Sequence, residues 1–239
     1  MGETLGFQPL YRQVYDRLVT RISNGDWKPA ESLPSEYALA EELGVSQGTV
    51  RKALNELEAE KLVERRQGKG TFVTEHTKEA SNFRFFRLTL PDGTRLAPEG
   101  SIESVSRRAA SSKERSVLSL GDNEQVVEML RIRIVDEAPV VAETIILPLA
   151  MFPNIDDLET LTESLYPLYQ REFGIHIVNT EEQLCAEVAM EDSARRLNLP
   201  LGTPLLRVDR VAYTMNSKPV EFRSSLCDTR NFVYSVNVT

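Results

Sequence analysis

With 239 residues, 41% of them hydrophobic and 27% charged, the chain has the composition of an ordinary soluble protein and room for one large domain or two small ones. No apolar run approaches the roughly 20 residues of a membrane span, no basic-then-apolar leader opens the chain, and two cysteines far apart give no disulfide framework, so a cytoplasmic protein without membrane contact is expected. A net charge of −8 excludes a general nucleic-acid coat, whose affinity comes from neutralised phosphates, and two histidines exclude a histidine-built metal site; no cofactor is expected.

Residues 1–9 read as loosely ordered. A helix is predicted over 11–23, where Tyr11, Val14, Tyr15, Leu18, Val19 and Ile22 recur at three- and four-residue spacing before Asn24-Gly25 ends the pattern. Trp27 follows in a loop and is expected to cover a small core. Ser35, after Pro34, is placed to cap a second helix that stops at Gly44. Ser46 caps a third over 47–60, whose Val50, Ala53, Leu54 and Leu57 form one apolar stripe. The remaining face carries Gln47, Thr49, Arg51, Lys52 and Asn55, all able to meet bases or phosphates. Two short strands, 62–65 and 71–74, flank Arg66-Gln67-Gly68-Lys69-Gly70, a basic hairpin tip. Two helices joined by a tight turn, with a basic wing, is the geometry that lays a recognition helix in a major groove. The plainer alternative is a helical hairpin with a solvated charged face. Between 46 and 71, Arg51, Lys52, Lys61, Arg65, Arg66 and Lys69 outnumber Glu56, Glu58, Glu60 and Glu64, so the acidic excess of the chain lies elsewhere.

Residues 75–82 are polar and without apolar period, and are read as a linker. From Phe83 the pattern turns to strands: 83–90 up to the turn Pro91-Asp92-Gly93, then 102–110, a short helix over 114–120, and 126–135. In this last strand Leu130, Ile132 and Ile134 share one face, and Met129, Arg131, Arg133 and Val135 the other. Asp136 to Pro139 is expected as the hairpin loop, with a return strand to Pro148. A helix over 155–173 must be bent or split by Pro167 and closes at Gly174. Extended chain over 175–189, a short helix over 192–197 and a last pair of strands, 205–213 and 220–226, complete the pattern. Arg131 and Arg133 project from one strand face as two parallel forks suited to a phosphate or carboxylate. A solvated sheet face with surface pairs to glutamates explains the same spacing.

LPSE, LAEELGVS, TVRKAL, LVERRQGKGTFV and the upstream PLYRQVYDRL together resemble the winged helix-turn-helix of the GntR family of bacterial transcription regulators. RIRIVDEAPVVAETIILP, SLYPLY, EDSARRLNLPLGTPLLRVDRVAY and KPVEFRSS resemble the ligand-sensing (UTRA) domain of its HutC branch, which shares the fold of chorismate lyase. The resemblance implies an α+β protein: a winged helix-turn-helix over 1–74, a linker over 75–82, and a chorismate-lyase-like effector-binding and dimerisation domain with an antiparallel sheet over 83–239. It places Tyr37, Ser46, Gln47, Thr49, Arg51, Arg65, Arg66, Gln67, Gly68 and Lys69 at double-stranded DNA with a palindromic operator. It places Arg131, Arg133, Glu143, Ser164, Tyr166 and Glu221 around a small anionic effector. A homodimeric repressor is therefore expected. Gln47 stands where many relatives carry Arg and is expected to shift one operator position toward adenine, which Gln reads bidentately; Lys61 stands where a helix-ending Gly is usual. The stretch FRSSLCDTRNFVY departs from the family pattern and leaves the effector open among phosphosugars, organic acids, amino-acid derivatives and phosphonates. An enzyme is the rival class, since the fold is shared with a lyase, but no nucleophile, metal cluster or phosphate loop supports it. A protein-interaction adaptor is the third.

Overall fold

The computed structural model describes residues 8–23, 25–75, 85–157, 161, 164–214 and 217–236. Three helices open the chain: α1 (Leu10–Ser23), α2 (Glu36–Leu43) and α3 (Gln47–Ala59). The expected caps are in place. The Ser35 hydroxyl accepts from the Ala38 amide, Ser46 accepts from the Thr49 amide, and Gly44 takes φ +66°, the left-handed conformation that a residue without Cβ adopts freely. The apolar stripes of the helices meet in one core around Leu18, Leu39, Val50 and Leu57, which Trp27 covers as expected. Strands β1 (Val63–Arg66) and β2 (Gly70–Val73) pair with Val63 opposite Val73 and Arg66 opposite Gly70. The Leu33 amide donates to the Thr71 carbonyl at 2.8 Å and fastens the wing to the loop before α2. Lys61, just past α3, sits at φ +59°.

In the second half a six-stranded antiparallel sheet runs in the order β4-β5-β6-β9-β8-β7. Its strands are β4 (Glu99–Ala109), β5 (Gln125–Val135), β6 (Ala138–Pro148), β7 (Asn179–Val188), β8 (Pro204–Tyr213) and β9 (Pro219–Cys227). Helices α4 (Ser112–Leu118) and α6 (Glu191–Leu197) cover one face, α4 near Ile146 and Phe222, and α6 near Ile132 and Ala142. Helix α5 (Leu165–Phe173) covers the other face over Met129, Ile145 and Ala212. A two-stranded ribbon of β3 (Leu88–Thr89) and β10 (Val233–Tyr234) lies near α5.

Several expectations change in detail. The β5–β6 loop is two residues, Asp136 and Glu137 at φ +49° and +64°, so Ala138 and Pro139 already belong to the strand. The predicted helix over 155–173 is a 3-10 turn, Ile155–Asp157, followed by α5, and Pro167 sits in the first turn of α5, where its missing N–H leaves nothing unpaired. Among the described residues of the expected strand over 83–90, regular pairing is confined to β3; Phe83 and Arg84 lie outside the described residues, as do 76–82 of the expected linker, His76 among them.

The two halves touch where α5 approaches the wing. Gln170 Nε2 donates to the Thr74 carbonyl at 2.8 Å and lies 3.0 Å from His176 Nδ1. Val178, just before β7, packs against the core of the three helices.

Candidate functional site

Strand register builds the interior site. Arg131 on β5 stands opposite Glu143 on β6, which stands opposite Ser225 on β9 and then Val208 on β8. One pair further along the sheet the row reads Met129, Ile145, Arg223, Arg210. Because alternate residues share a face, these two rows put Arg131, Arg133, Glu143, Arg223, Ser225 and Arg210 on the side that α5 covers. All are buried: Arg131 is 0% exposed, Glu143 4% and Arg133 7%.

Glu143 is the hub. Its carboxylate receives Arg131 Nε at 2.6 Å and Arg223 Nη1 at 3.3 Å, and Arg133 Nε approaches to 3.7 Å. Burial by itself would raise this carboxyl, yet Arg131, Arg223 and Arg133 together hold it well below the usual carboxylate range. Arg133 responds in the opposite way: burial, followed by the like charges of Arg131, Arg223 and Arg210, pushes it down to about 9. Behind this layer Arg223 Nη2 binds Glu221 at 2.8 Å, and Glu221 also accepts from Tyr166 at 3.1 Å and Tyr169 at 2.7 Å. Burial and the Glu221 charge push the Tyr166 phenol up to about 12. Arg210 is bound to Glu182 and to the Phe85 carbonyl.

Arg131, Arg133, Glu143, Ser164 and Tyr166 all line one cavity of about 50 Å³ beneath α5, together with Arg223, Phe85 and Phe86. Glu221 is the exception among the six expected residues. It is fully buried one layer back, and it holds Tyr166 and Arg223 rather than facing the cavity. Arg131 Nη1 and Nη2, Arg133 Nε and Arg223 Nε are buried without a hydrogen-bond partner among the described residues. Buried donors of this kind cost about 1–3 kcal/mol each, more when charged, so the cluster is arranged to receive acceptor oxygens. From the reverse face Arg196 on α6 donates to the Glu143 carbonyl at 3.0 Å and the Arg131 carbonyl at 3.3 Å, while its Nε meets Glu103 at 2.7 Å.

Sequence reading missed Arg210, Arg223 and Tyr169. The signal for Arg223 was present: the two-residue rule that grouped Arg131 with Arg133 also groups Glu221, Arg223 and Ser225 on β9. Arg210 announces itself only through the burial of its neighbours Val208 and Ala212 on the same face. In the departing stretch, Cys227 lines the cavity, its thiol pushed up to about 12 chiefly by burial, whereas Arg230 pairs locally with Asp228 at 2.9 Å.

The exposed site lies on the three-helix unit. Tyr37 is 71% exposed, and Ser46, Gln47, Arg51, Arg65, Arg66, Gln67, Gly68 and Lys69 are exposed around it, with Thr49 half-buried beside its cap. Glu36 gathers three of them. It binds Arg51 at 2.8 Å, lies 3.6 Å from Arg65 and accepts from Gln47 at 3.4 Å. Arg66 stacks on Phe72 and pairs with Glu64, and Gly68 holds the wing turn at φ +70°. Arg51 is raised above its ordinary value by the hydrogen bond and charge of Glu36.

A family model described as bacterial regulatory proteins, gntR family, matches residues 10–73, and a UTRA domain model matches 94–232. Over 96% of its length the chain is 29% identical to an Escherichia coli protein named "Probable fructoselysine utilization operon transcriptional repressor", covering 95% of that protein. It is 28% identical, over 97% of each chain, to the mannosyl-D-glycerate transport/metabolism system repressor of the same organism. The ligand-binding domain of a GntR-family regulator from Bordetella bronchiseptica superposes with a TM-score of 0.62 at 30% identity, covering 65% of this chain and 98% of that one.

Proposed function

This chain belongs to the GntR family of bacterial regulatory proteins, in the form that carries a UTRA domain, and from that premise we propose that it is a cytoplasmic, homodimeric repressor released from its operator by a small anionic effector. The matched families and relatives are regulators of transcription, not enzymes. In this reading residues 1–74 form the DNA-binding domain, 75–82 the linker and 83–239 the effector-binding and dimerisation domain of the HutC type. Two copies related by a two-fold axis present two recognition helices to the half-sites of a palindrome. Gln47 and Thr49 at the start of α3 and Tyr37 on α2 face base edges, and Arg51, Arg65, Arg66 and Lys69 meet phosphates or groove edges, with Gln67 and Gly68 at the wing tip.

The observation that carries the effector half is the Arg131 guanidinium, wholly buried at the cavity with both Nη atoms unpartnered. Arg131 and Arg133 receive the anion, Ser164 offers its hydroxyl from the cap of α5, Tyr166 lines the cavity beside it, and Glu143 and Glu221 hold the arginines in place. One helix joins this cavity to the reading head. Tyr166 touches the site, and one turn further along the same helix Gln170 holds the Thr74 carbonyl at the foot of the wing. An anion that shifts α5 therefore acts on the contact that orients the head. Because the two binding free energies are coupled, DNA must weaken effector binding by the factor by which effector weakens DNA binding.

Gel retardation and fluorescence anisotropy with promoter fragments neighbouring its own gene test the reading. Retardation that a small anion reverses is expected, with a reciprocal loss of anion affinity at saturating operator. Failure to retard any such fragment at low ionic strength rejects the DNA-binding half. Unchanged anion affinity in the presence of operator rejects the coupling.

A further inference from the structure

The cavity specifies more than negative charge. Five arginines line it, at 87, 131, 133, 210 and 223. Three carboxylates answer them: Glu143 between Arg131 and Arg223, Glu221 behind Arg223, and Glu182 beside Arg87 and Arg210. Among the described residues two positive charges stay uncompensated in this buried cluster, where charges interact more strongly than in water. The donors also converge. Arg131, Arg133 and Arg223 all lie within 3.7 Å of the Glu143 carboxylate, so the three guanidiniums are gathered around one carboxylate at the cavity.

The rest of the lining has the opposite character. Phe85, Phe86, Leu88, Val141, Leu165 and Val208 supply apolar surface, and among the described residues no Asn, Gln, Asp or Thr lines the cavity. Tyr166 and Tyr234 spend their hydroxyls on Glu221 and Glu182. Ser164 and Ser225 are the remaining lining hydroxyls among the described residues. A hexose brings several hydroxyls, and each one buried without a partner costs about 1–3 kcal/mol. The cavity is also small, about 50 Å³, against roughly 300–1,000 Å³ for drug-sized ligand pockets.

Resting on the effector reading above, we propose that the ligand is a compact dianion on an apolar body, such as an apolar phosphate or phosphonate monoester or a short dicarboxylate, and not a polyhydroxylated sugar phosphate. Arg131 takes two oxygens of the head through its Nη pair, Arg133 and Arg223 close on it through Nε, and the phenylalanine and valine side chains cover the body.

The test is calorimetric titration of the full-length protein with phenylphosphonate, succinate, glucose 6-phosphate, benzoate and inorganic phosphate, alongside operator release by each. Phenylphosphonate or succinate is expected to bind at least tenfold more tightly than glucose 6-phosphate and than benzoate, and whichever of the two leads decides between a tetrahedral head and paired carboxylates. Arg223→Gln is expected to lower that affinity at least tenfold, with thermal unfolding confirming a folded variant. Val208→Thr, which puts a hydroxyl next to Ser225, is expected to narrow the gap to glucose 6-phosphate. Should glucose 6-phosphate equal or exceed the apolar dianions, or benzoate match them, this ligand class is overturned. If glucose 6-phosphate then also releases operator, the effector reading survives. If no anion binds or releases operator, the effector reading falls and this inference with it.

Discussion

Both halves of the molecule set arginines against glutamates, and the two sets stand in opposite surroundings. In the reading head Glu36 binds Arg51 and approaches Arg65 at a surface open to water. Under α5, Glu143 binds Arg131 and Arg223 in the interior. Exposed pairs are worth little, because water and salt solvate the separated charges almost as well. Their arginines are therefore free to exchange a carboxylate for a phosphate at small cost, as a DNA-binding face must. The interior set cannot trade partners with water, and every nitrogen left over is an obligation that a ligand can meet. On the proposed reading the same residue types serve as a reversible grip in one place and as a selective receptor in the other.

The largest test of this contrast is Glu143→Gln. It leaves three buried guanidiniums around a neutral amide, and breaking a buried pair in this way costs about 3–5 kcal/mol. Chemical denaturation should show that loss. Glu36→Gln, the matching change at the surface, should cost less than about 1 kcal/mol and should raise operator affinity at low salt by freeing Arg51 and Arg65. Equal losses at the two sites would erase the distinction. Acid separates them as well. Glu143 titrates below its ordinary value of 4.5 in the folded protein, so the stability it confers is fully present above that pH and fades as pH falls toward the lower folded value. An urea-midpoint series from pH 6 to pH 3 should decline in wild type and flatten in Glu143→Gln.

Smaller effects sharpen the surface half. Gln47→Arg is expected to move one operator position from adenine to guanine, about 1–3 kcal/mol of discrimination; a binding selection returning the same base for both proteins would count against a base-reading role. Lys69→Ala, if the wing tip meets phosphate as proposed, should lower the slope of log affinity against log salt by about 1. Lys61→Gly should relieve the left-handed strain at φ +59° and raise the melting stability of the head by somewhat less than about 1 kcal/mol.

The two regions also differed in how far they could be read in advance. Local rules sufficed for the head: caps at Ser35 and Ser46, a stop at Gly44 and a stripe from Val50 to Leu57 are all statements about residues a turn apart, and each was legible. The order of the six strands was not, because β9 inserts between β6 and β8 and such non-local pairing leaves no mark in periodicity. Arg131 and Arg133 could be grouped because they share a strand. Arg210 and Arg223 reach the same cavity from strands about 80 and 90 residues downstream, at distances set by register. Glu221 was expected at the cavity and stands behind it, a distinction of one layer that only packing decides. Pro167 was seen as a break, but whether it bends a helix or starts one depends on where the first turn falls.

Arg196 has a bearing on how such a receptor can change over time. It stands on the far side of the sheet from the cavity, yet it fastens the main chain of two strands at Arg131 and Glu143, directly under the residues proposed to meet the anion. Side chains that only fill or line a pocket can drift one at a time; a bolt through the floor cannot, since loosening it tilts every group mounted above. Selections for altered inducer response should therefore recover changes on α6 and at Glu103, surfaces that an inventory of cavity walls would pass over.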